Sequence, residues 1–368
     1  MTGRKLLGAV GGVCLILVLV MLPLRVGFAP ERQAKAAPEK KVITLKVTSF
    51  VGPKIFGSGG DSLGWWADEL EKRSEGKVKI ERYWFQSLVK APEMIEAGKT
   101  GLADVVHYAG LGADLPFEAT VIEFGRTEYA DAVSMALTEL YETFPAFREQ
   151  FERQNLRVMY FNNMYPLVIG SRKPIKTLND LKKLKIRTLG YGSKIFSNLG
   201  SVPVTLPAPD VYDAMQRGTI DAWSWMSLSG VIMGALYEVT PYITDPRFGC
   251  YGHNFFAMNM DTWKALPDDV KNIIKRINTE CRAWTVANQM EQEKKILRRP
   301  DIKFYVLPRD EAKRWLDASK HDEVCEAWAA KTEARGLPAR KYRERFIELI
   351  KKYEGSAEYI PLEKRLPH

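Results

Sequence analysis

The chain reads as an α/β protein of layered sheets and helices. Three observations point there: residues 43–49, 77–84 and 103–108 have the pattern of strands, amphipathic helical segments lie between them, and the same succession returns after residue 155. With 368 residues, 46% of them hydrophobic, the chain has the length and apolar content for two domains.

Taken in order, ITLKVTS (43–49) alternates as a strand, and SLGWWADELEKRSEGK (62–77) is an amphipathic helix stopped at Gly76. KVKIERYW (77–84) is a strand, a helix spans Pro92 to Lys99, and ADVVHY (103–108) is the third strand. This alternation predicts a largely parallel sheet. In the second half LRVMYF and PLVIGS are strands, and TLNDLKKL begins with Thr177 three residues before Asp180, an approximate capping box. LKIRT (184–188) is a strand, GSKIFSNLG a helix closed by Gly200, VPVTL a strand, PDVYDAMQRG a helix closed by Gly218, and TIDAWSW a strand. From Pro267 onward the sequence is mainly helical and rich in charge pairs.

The first segment carries Arg4 and Lys5 ahead of an uncharged run from Leu6 to Leu24, followed by Ala34-Lys35-Ala36 as an A-x-A cleavage site. Residues 1–36 therefore read as an export signal or an N-terminal anchor, residues 37–41 as a linker, and the chain as exported. Formal net charge is +9, but after Ala36 the balance is 49 basic against 44 acidic residues. Spread along the sequence, that surplus says little about nucleic acid, and an anionic small molecule would suffice as partner. Beyond Cys14, Cys250, Cys281 and Cys325 are odd in number, widely separated and without metal-type spacing.

Catalytic signatures are missing: no HExxH, GxSxG, Walker loop or paired CxxC occurs, and the four histidines are far apart. No cofactor or metal is implied. FGSGG (56–60) lacks nucleotide-loop spacing and reads as a turn. In open α/β sheets ligands bind at the carboxyl ends of strands, so the segments after 49, 84, 108, 188 and 223 are the ones to inspect. Arg187 ends the LKIRT strand ahead of Leu-Gly-Tyr-Gly-Ser-Lys, where a guanidinium fork and a helix start suit a carboxylate. Trp223 and Trp225, two apart in a strand, are expected on one face as an aromatic wall. Trp65 and Trp66, adjacent on a helix, point apart, so at most one is core and the other is free to face a cleft.

Five stretches in order, ADELEKRSEGKVKIERY, SLVKAPEMIEAGKTGLADV, SRKPIKTLNDLKKLKIRT, PVTLPAPDVYDAMQRGTIDA and MNMDTWKALPDDVKN, resemble the periplasmic solute-binding subunits of TRAP transporters, the DctP-like family. The resemblance runs from about Val42 into the helical C-terminal region. It implies a two-lobed periplasmic binding protein fold with a ligand cleft between the lobes, no catalysis, and delivery of an organic acid to membrane permease subunits. It further implies lobe I over 42–163 with part of 251–298, lobe II over 164–250 with part of 299–335, and a helical tail over 336–368.

Members of this kind pair the arginine of the LK-[IL]-R-[VT] strand with the ligand carboxylate, the position of Arg187. Where many members read D-G-Q-E-N-P, this chain has Asp221-Ala222-Trp223-Ser224-Trp225-Met226, and where many acid-binding members carry another arginine it has Tyr165-Pro166-Leu167. The expected site is therefore Arg187 beside Trp225 and Trp223, with Tyr191 nearby and with Tyr83, Trp84, His107 and Tyr108 from the other lobe, and its ligand a monocarboxylate with an apolar or aromatic body. Two alternatives remain: a binding protein that docks on a membrane sensor, and an exported enzyme acting on a small acid with His107 as base. Monomer and dimer are both open.

Overall fold

A computed structural model describes residues 42–54, 59–108, 115–117, 126–163 and 165–366. The signal or anchor segment, the 37–41 linker, and residues 56–58 of the FGSGG turn lie outside the described residues.

Strands β1 (Ile43–Ser49), β2 (Val78–Tyr83), β3 (Val105–Tyr108), β4 (Leu156–Asn163) and β10 (His253–Asn259) make a five-stranded sheet in the order β2-β1-β3-β10-β4. Strands β5 (Leu167–Ser171), β6 (Lys185–Thr188), β7 (Val202–Thr205), β8 (Ala222–Ser227), β9 (Tyr242–Asp245) and β11 (Lys303–Val306) make a six-stranded sheet in the order β11-β9-β5-β8-β6-β7. Both sheets are mixed, which corrects the expectation of a largely parallel sheet. In the first, β10 runs antiparallel to both β3 and β4; in the second, β5 runs antiparallel to both β8 and β9. The antiparallel members are the strands by which the chain enters or leaves each sheet. A direct crossing from one sheet to the other reverses the local strand direction, whereas a helical crossover preserves it.

Each sheet is covered on both faces and forms a lobe. On one face of the first, Leu45, Val47 and Phe256 pack with Leu63, Trp66 and Leu70 of α1 (Gly60–Arg73) and with Ile274 and Ile277 of the long helix α9 (Asp268–Leu297). On the other face, Val106 and Phe161 meet α2 (Met94–Thr100), α3 (Ala130–Thr143), α4 (Pro145–Glu152), α11 (His321–Glu333) and α12 (Ala339–Glu354). Fully burying side chains of this kind contributes roughly 1.5–3 kcal/mol each. The second sheet holds Ile169 and Ile186 against α5 (Leu178–Leu181), α6 (Tyr191–Asn198) and α10 (Arg309–Ala318), and Val168 and Trp223 against α7 (Val211–Arg217) on the opposite face. The approximate capping box exists: the Asp180 carboxylate accepts from the Thr177 N–H at 2.8 Å. The remaining helix is α8 (Met260–Ala265).

The chain passes between sheets from β4 to β5, from β9 to β10, and through α9 to β11. The C-terminal segment ties the joint from outside. Its Glu358 N–H donates to Asp131 of α3 at 2.7 Å, Leu362 enters the core around Val168 and Met226, and Glu363 pairs with Arg247 at 2.7 Å. Two residues further on, Arg365 pairs at 2.6 Å with Glu293 of α9, whose side chain is fully buried. Among the described residues no helix is long and apolar enough to cross a membrane.

Candidate functional site

The parallel trio β7-β6-β8 brings three strand ends together, and Arg187 stands at the end of the central one. Its side chain is only 1% exposed. Nε donates to the Leu206 carbonyl at 2.9 Å and Nη1 to the Ser224 and Trp225 carbonyls at 3.2 and 3.5 Å. The guanidinium is thus held by backbone dipoles from both flanking strands, and no carboxylate among the described residues pairs with it. Burial pulls its pKa down to about 10, partly offset by the Tyr251 hydroxyl, so it stays a cation at neutral pH. A buried cation held by neutral dipoles is poised to take a counter-charge from a ligand.

The two tryptophans after it do not form one wall. On β5 and β8, Val168 pairs with Met226 and Gly170 with Trp223, so Ser224 and Trp225 together stand opposite the single residue Ile169. This is a β-bulge, and Trp225 takes φ 62° within it. The extra residue reverses the alternation: Trp223 and Met226 face one core and Trp225 the other. The expectation of a shared face fails for that reason. Trp223 is fully buried, donates its indole N–H to Thr240 Oγ1 at 3.1 Å, and lies so close over Gly170 that any Cβ there would sit 2.1 Å from the ring. Trp225 instead tilts against Tyr251, with centroids 5.2 Å apart.

Helix α6 starts immediately beyond. Gly192 in its first turn lets the backbone approach the Trp225 indole, since an added Cβ would meet that ring at 2.4 Å and Thr188 Oγ1 at 2.3 Å. Tyr191, half-buried, packs against the apolar cluster of the first lobe and so bridges the lobes. From that lobe, His107 is fully buried with both ring nitrogens occupied, by Ser49 Oγ at 2.9 Å and Asn254 Oδ1 at 3.2 Å. Burial lowers its pKa to about 4. A neutral imidazole engaged on both sides has no free basic nitrogen for catalysis.

Tyr108 packs in the core, 5.2 Å from Phe255, on the face away from His107. Tyr83 donates to Glu81 at 3.2 Å at the sheet edge, and Trp84 is half-buried against the α1 side of the first lobe. The structure thus groups Arg187, Trp225 and Tyr191, and leaves Trp223, Tyr83, Trp84 and Tyr108 apart from them. Trp66 is core, with its indole N–H on Asn278 at 2.8 Å, whereas Trp65 stacks on Trp284. Tyr251 was not foreseen; it sits in the loop between β9 and β10, where no periodicity marks a side chain's direction.

Among the described residues no three His, Cys, Asp or Glu side chains gather as a metal site, and Cys250, Cys281 and Cys325 are buried. A cavity of about 410 Å³ lies elsewhere, between residues 126–129, α10 and the C-terminal segment. There Arg247 pairs with Glu128 and Glu363, and Arg309 with Glu363 at 3.1 Å, so both of these cations already meet carboxylates of the chain, unlike Arg187.

A family model of the bacterial extracellular solute-binding proteins, family 7 (DctP), matches residues 60–328. The C4-dicarboxylate-binding periplasmic protein DctP of Rhodobacter capsulatus is 23% identical over 91% of this chain and 98% of its own length. Among solved structures, a TRAP periplasmic solute-binding protein from Desulfovibrio salexigens superposes with a TM-score of 0.75 at 27% identity, covering 86% of this chain and 98% of that one. A TRAP solute-binding protein from Rhodoferax ferrireducens, solved with copurified benzoate, gives 0.74 at 25% identity, covering 86% of this chain and all of that one. With two sheeted lobes, a buried cation at a strand end and a family match over most of its length, the chain belongs to the DctP family of TRAP-type periplasmic solute-binding proteins, whose work is binding and not catalysis.

Proposed function

We propose that this protein captures a monocarboxylate with an apolar or aromatic body on Arg187 and delivers it to the membrane permease of a TRAP transporter. The observation that carries the reading is the Arg187 guanidinium, buried and held, among the described residues, by backbone carbonyls. A carboxylate supplies the missing counter-charge with two parallel hydrogen bonds. Trp225 and Tyr251 beside it offer apolar surface for the rest of the ligand. Tyr165, in the stretch where many acid-binding members carry a further arginine, is buried against Tyr359 at 5.0 Å, which disfavours a second carboxylate. The benzoate found with the Rhodoferax ferrireducens protein supports this ligand class; the name of the Rhodobacter capsulatus relative marks its competitor.

Calorimetric titration of the purified protein with benzoate, a branched-chain acid and succinate tests the reading. Arg187→Met keeps the side-chain volume but removes the charge, and a loss of about 2–5 kcal/mol of acid binding is expected. Tight succinate binding with none of benzoate, or unchanged benzoate affinity in Arg187→Met, would overturn it.

A further inference from the structure

The second sheet carries a basic row along one end. Strands β6, β7, β8, β9 and β11 begin there, at Lys185, Val202, Ala222, Tyr242 and Lys303, and β5 finishes there at Ser171. The register aligns them: Ser171 stands opposite Tyr242 and Ala222, Tyr242 opposite Lys303, and Lys185 opposite Val202. Six strands side by side make this end roughly 24 Å long. The adjoining turns add charge to it. Arg172 and Lys173 follow Ser171, and Nη1 of Arg172 lies beside Gly218, which closes α7. Lys182 packs against Gly200, whose carbonyl accepts the Lys183 N–H at 2.8 Å just ahead of β7. Arg172, Lys173, Lys182, Lys183, Lys185 and Lys303 are exposed, and none of the six pairs with a carboxylate among the described residues. The acidic residues nearest in sequence are engaged elsewhere: Asp180 and Asp221 accept from backbone N–H groups at 2.8 and 2.9 Å, and Asp301 pairs with Arg299 at 2.6 Å. Arg187 reaches the other way, toward the carboxyl ends of β7 and β8.

Like charges set side by side repel, and an anionic partner relieves the repulsion. The composition of the row says which kind. Five of the six are lysines, the residue that specific protein interfaces deplete and that polybasic contacts with anionic lipid collect. On the outermost strand β7, the Val202 N–H is turned inward to Leu184, so the next residue, Pro203, stands where an outward N–H would be and has none. Addition of a partner strand is deterred there. Val202, 49% exposed, and Tyr242, under the Lys303 ammonium at 5.6 Å from the ring centroid, bring apolar and aromatic surface to the same row. We infer that this end of the second lobe is a membrane-apposition surface, by which the protein adsorbs on a bilayer carrying anionic phospholipid. Adsorbed this way, the protein keeps the Arg187 end of the sheet turned from the bilayer. The inference does not depend on the Arg187 reading above.

Co-sedimentation of the full chain with lipid vesicles tests it, with equal parts phosphatidylcholine and phosphatidylglycerol set against phosphatidylcholine alone. At low salt, partition onto the anionic vesicles is expected to be about tenfold or more the stronger, and to fall as salt screens the charges. The triple variant Lys173→Gln, Lys182→Gln, Lys183→Gln changes only exposed side chains, so its melting temperature stays that of the unaltered chain, while its partition onto anionic vesicles drops about tenfold or more. Both proteins carry the same N-terminal segment, so the difference between them reports on the row alone. Equal partition of the unaltered chain on the two kinds of vesicle overturns the inference and needs no variant to fold. A triple variant that binds anionic vesicles as well as the unaltered chain also overturns it. Retention on immobilised polyglutamate with none on anionic vesicles overturns it too, and assigns the row to an acidic protein instead. No ligand enters these measurements, so a failure of the Arg187 reading leaves them untouched.

Discussion

Trp225 holds a backbone conformation that bulky side chains rarely adopt, and such residues cost of order 1–3 kcal/mol unless their surroundings impose them. Many family members have asparagine here, a residue that tolerates positive φ. Trp225→Asn is therefore expected to fold, to relieve strain and to forfeit apolar contact, lowering benzoate affinity by about tenfold or more in a titration. Asp61 offers a second test. Burial lifts its pKa from 3.8 to about 6, so between those values the unfolded chain releases a proton that the folded chain keeps. Stability then falls as pH rises through that window, by about 3 kcal/mol in all, and the loss is complete above it. His107 works the other way, because its pKa of about 4 means that stability is gained as pH rises toward the ordinary histidine value. Asp61→Asn removes only the first effect, so urea midpoints should show variant and wild type diverging between about pH 4 and about pH 6, with the variant more stable above. Arg187 was legible in the sequence because a cation at a strand end before two glycines is a local pattern. Tyr251 was not, since what marks it is the Trp225 ring it meets across the fold.

The β8 bulge shows why elements are harder to read than residues. Period-two alternation is a property of a regular strand, and one extra residue exchanges the faces of everything beyond it. Nothing in DAWSWMS announces the insertion; it is fixed by the pairing with β5. Strands β1 to β8 were recognisable from local pattern to within a few residues, as were the helices around 62–77, 192–200 and 209–218. Strands β9, β10 and β11 went unread, and so did α3 and α4. Strand β10 lies between two neighbours with both faces covered, so HNFFAMN has no exposed face to give it rhythm. At this scale the sensitive position is Gly192. Gly192→Ala drives a methyl group into the Trp225 indole and Thr188 Oγ1, and is expected to cost about 1–3 kcal/mol in stability, read as a lowered melting temperature, together with weaker benzoate binding.

At the scale of the molecule, two lobes are joined by two direct crossings, by α9 and by the C-terminal segment. The joint contains a buried ion pair, Arg365 with Glu293, reinforced by Tyr359, which donates to Glu293 at 3.1 Å and accepts from Arg365 at 2.8 Å. Removing one partner strands the other charge, so Arg365→Met is expected to destabilise the protein by about 3–5 kcal/mol in urea unfolding, far more than loss of a surface pair such as Lys313 with Asp317. The sequence read these last residues as a helical tail. Their partners are more than a hundred residues away in the chain for Arg247 and more than two hundred for Asp131, distances over which local pattern carries no information.

The C-terminal fastening has a practical consequence. Asp131 of the first lobe and Arg247 of the second are clasped by residues only five apart in sequence, Glu358 and Glu363, so the final stretch works as a buckle and not as a loose end. Anything spliced on just past Arg365, a purification handle or a fluorescent reporter, would tug on that buckle, and binding constants measured with such a fusion would describe the strained clasp instead of the native one.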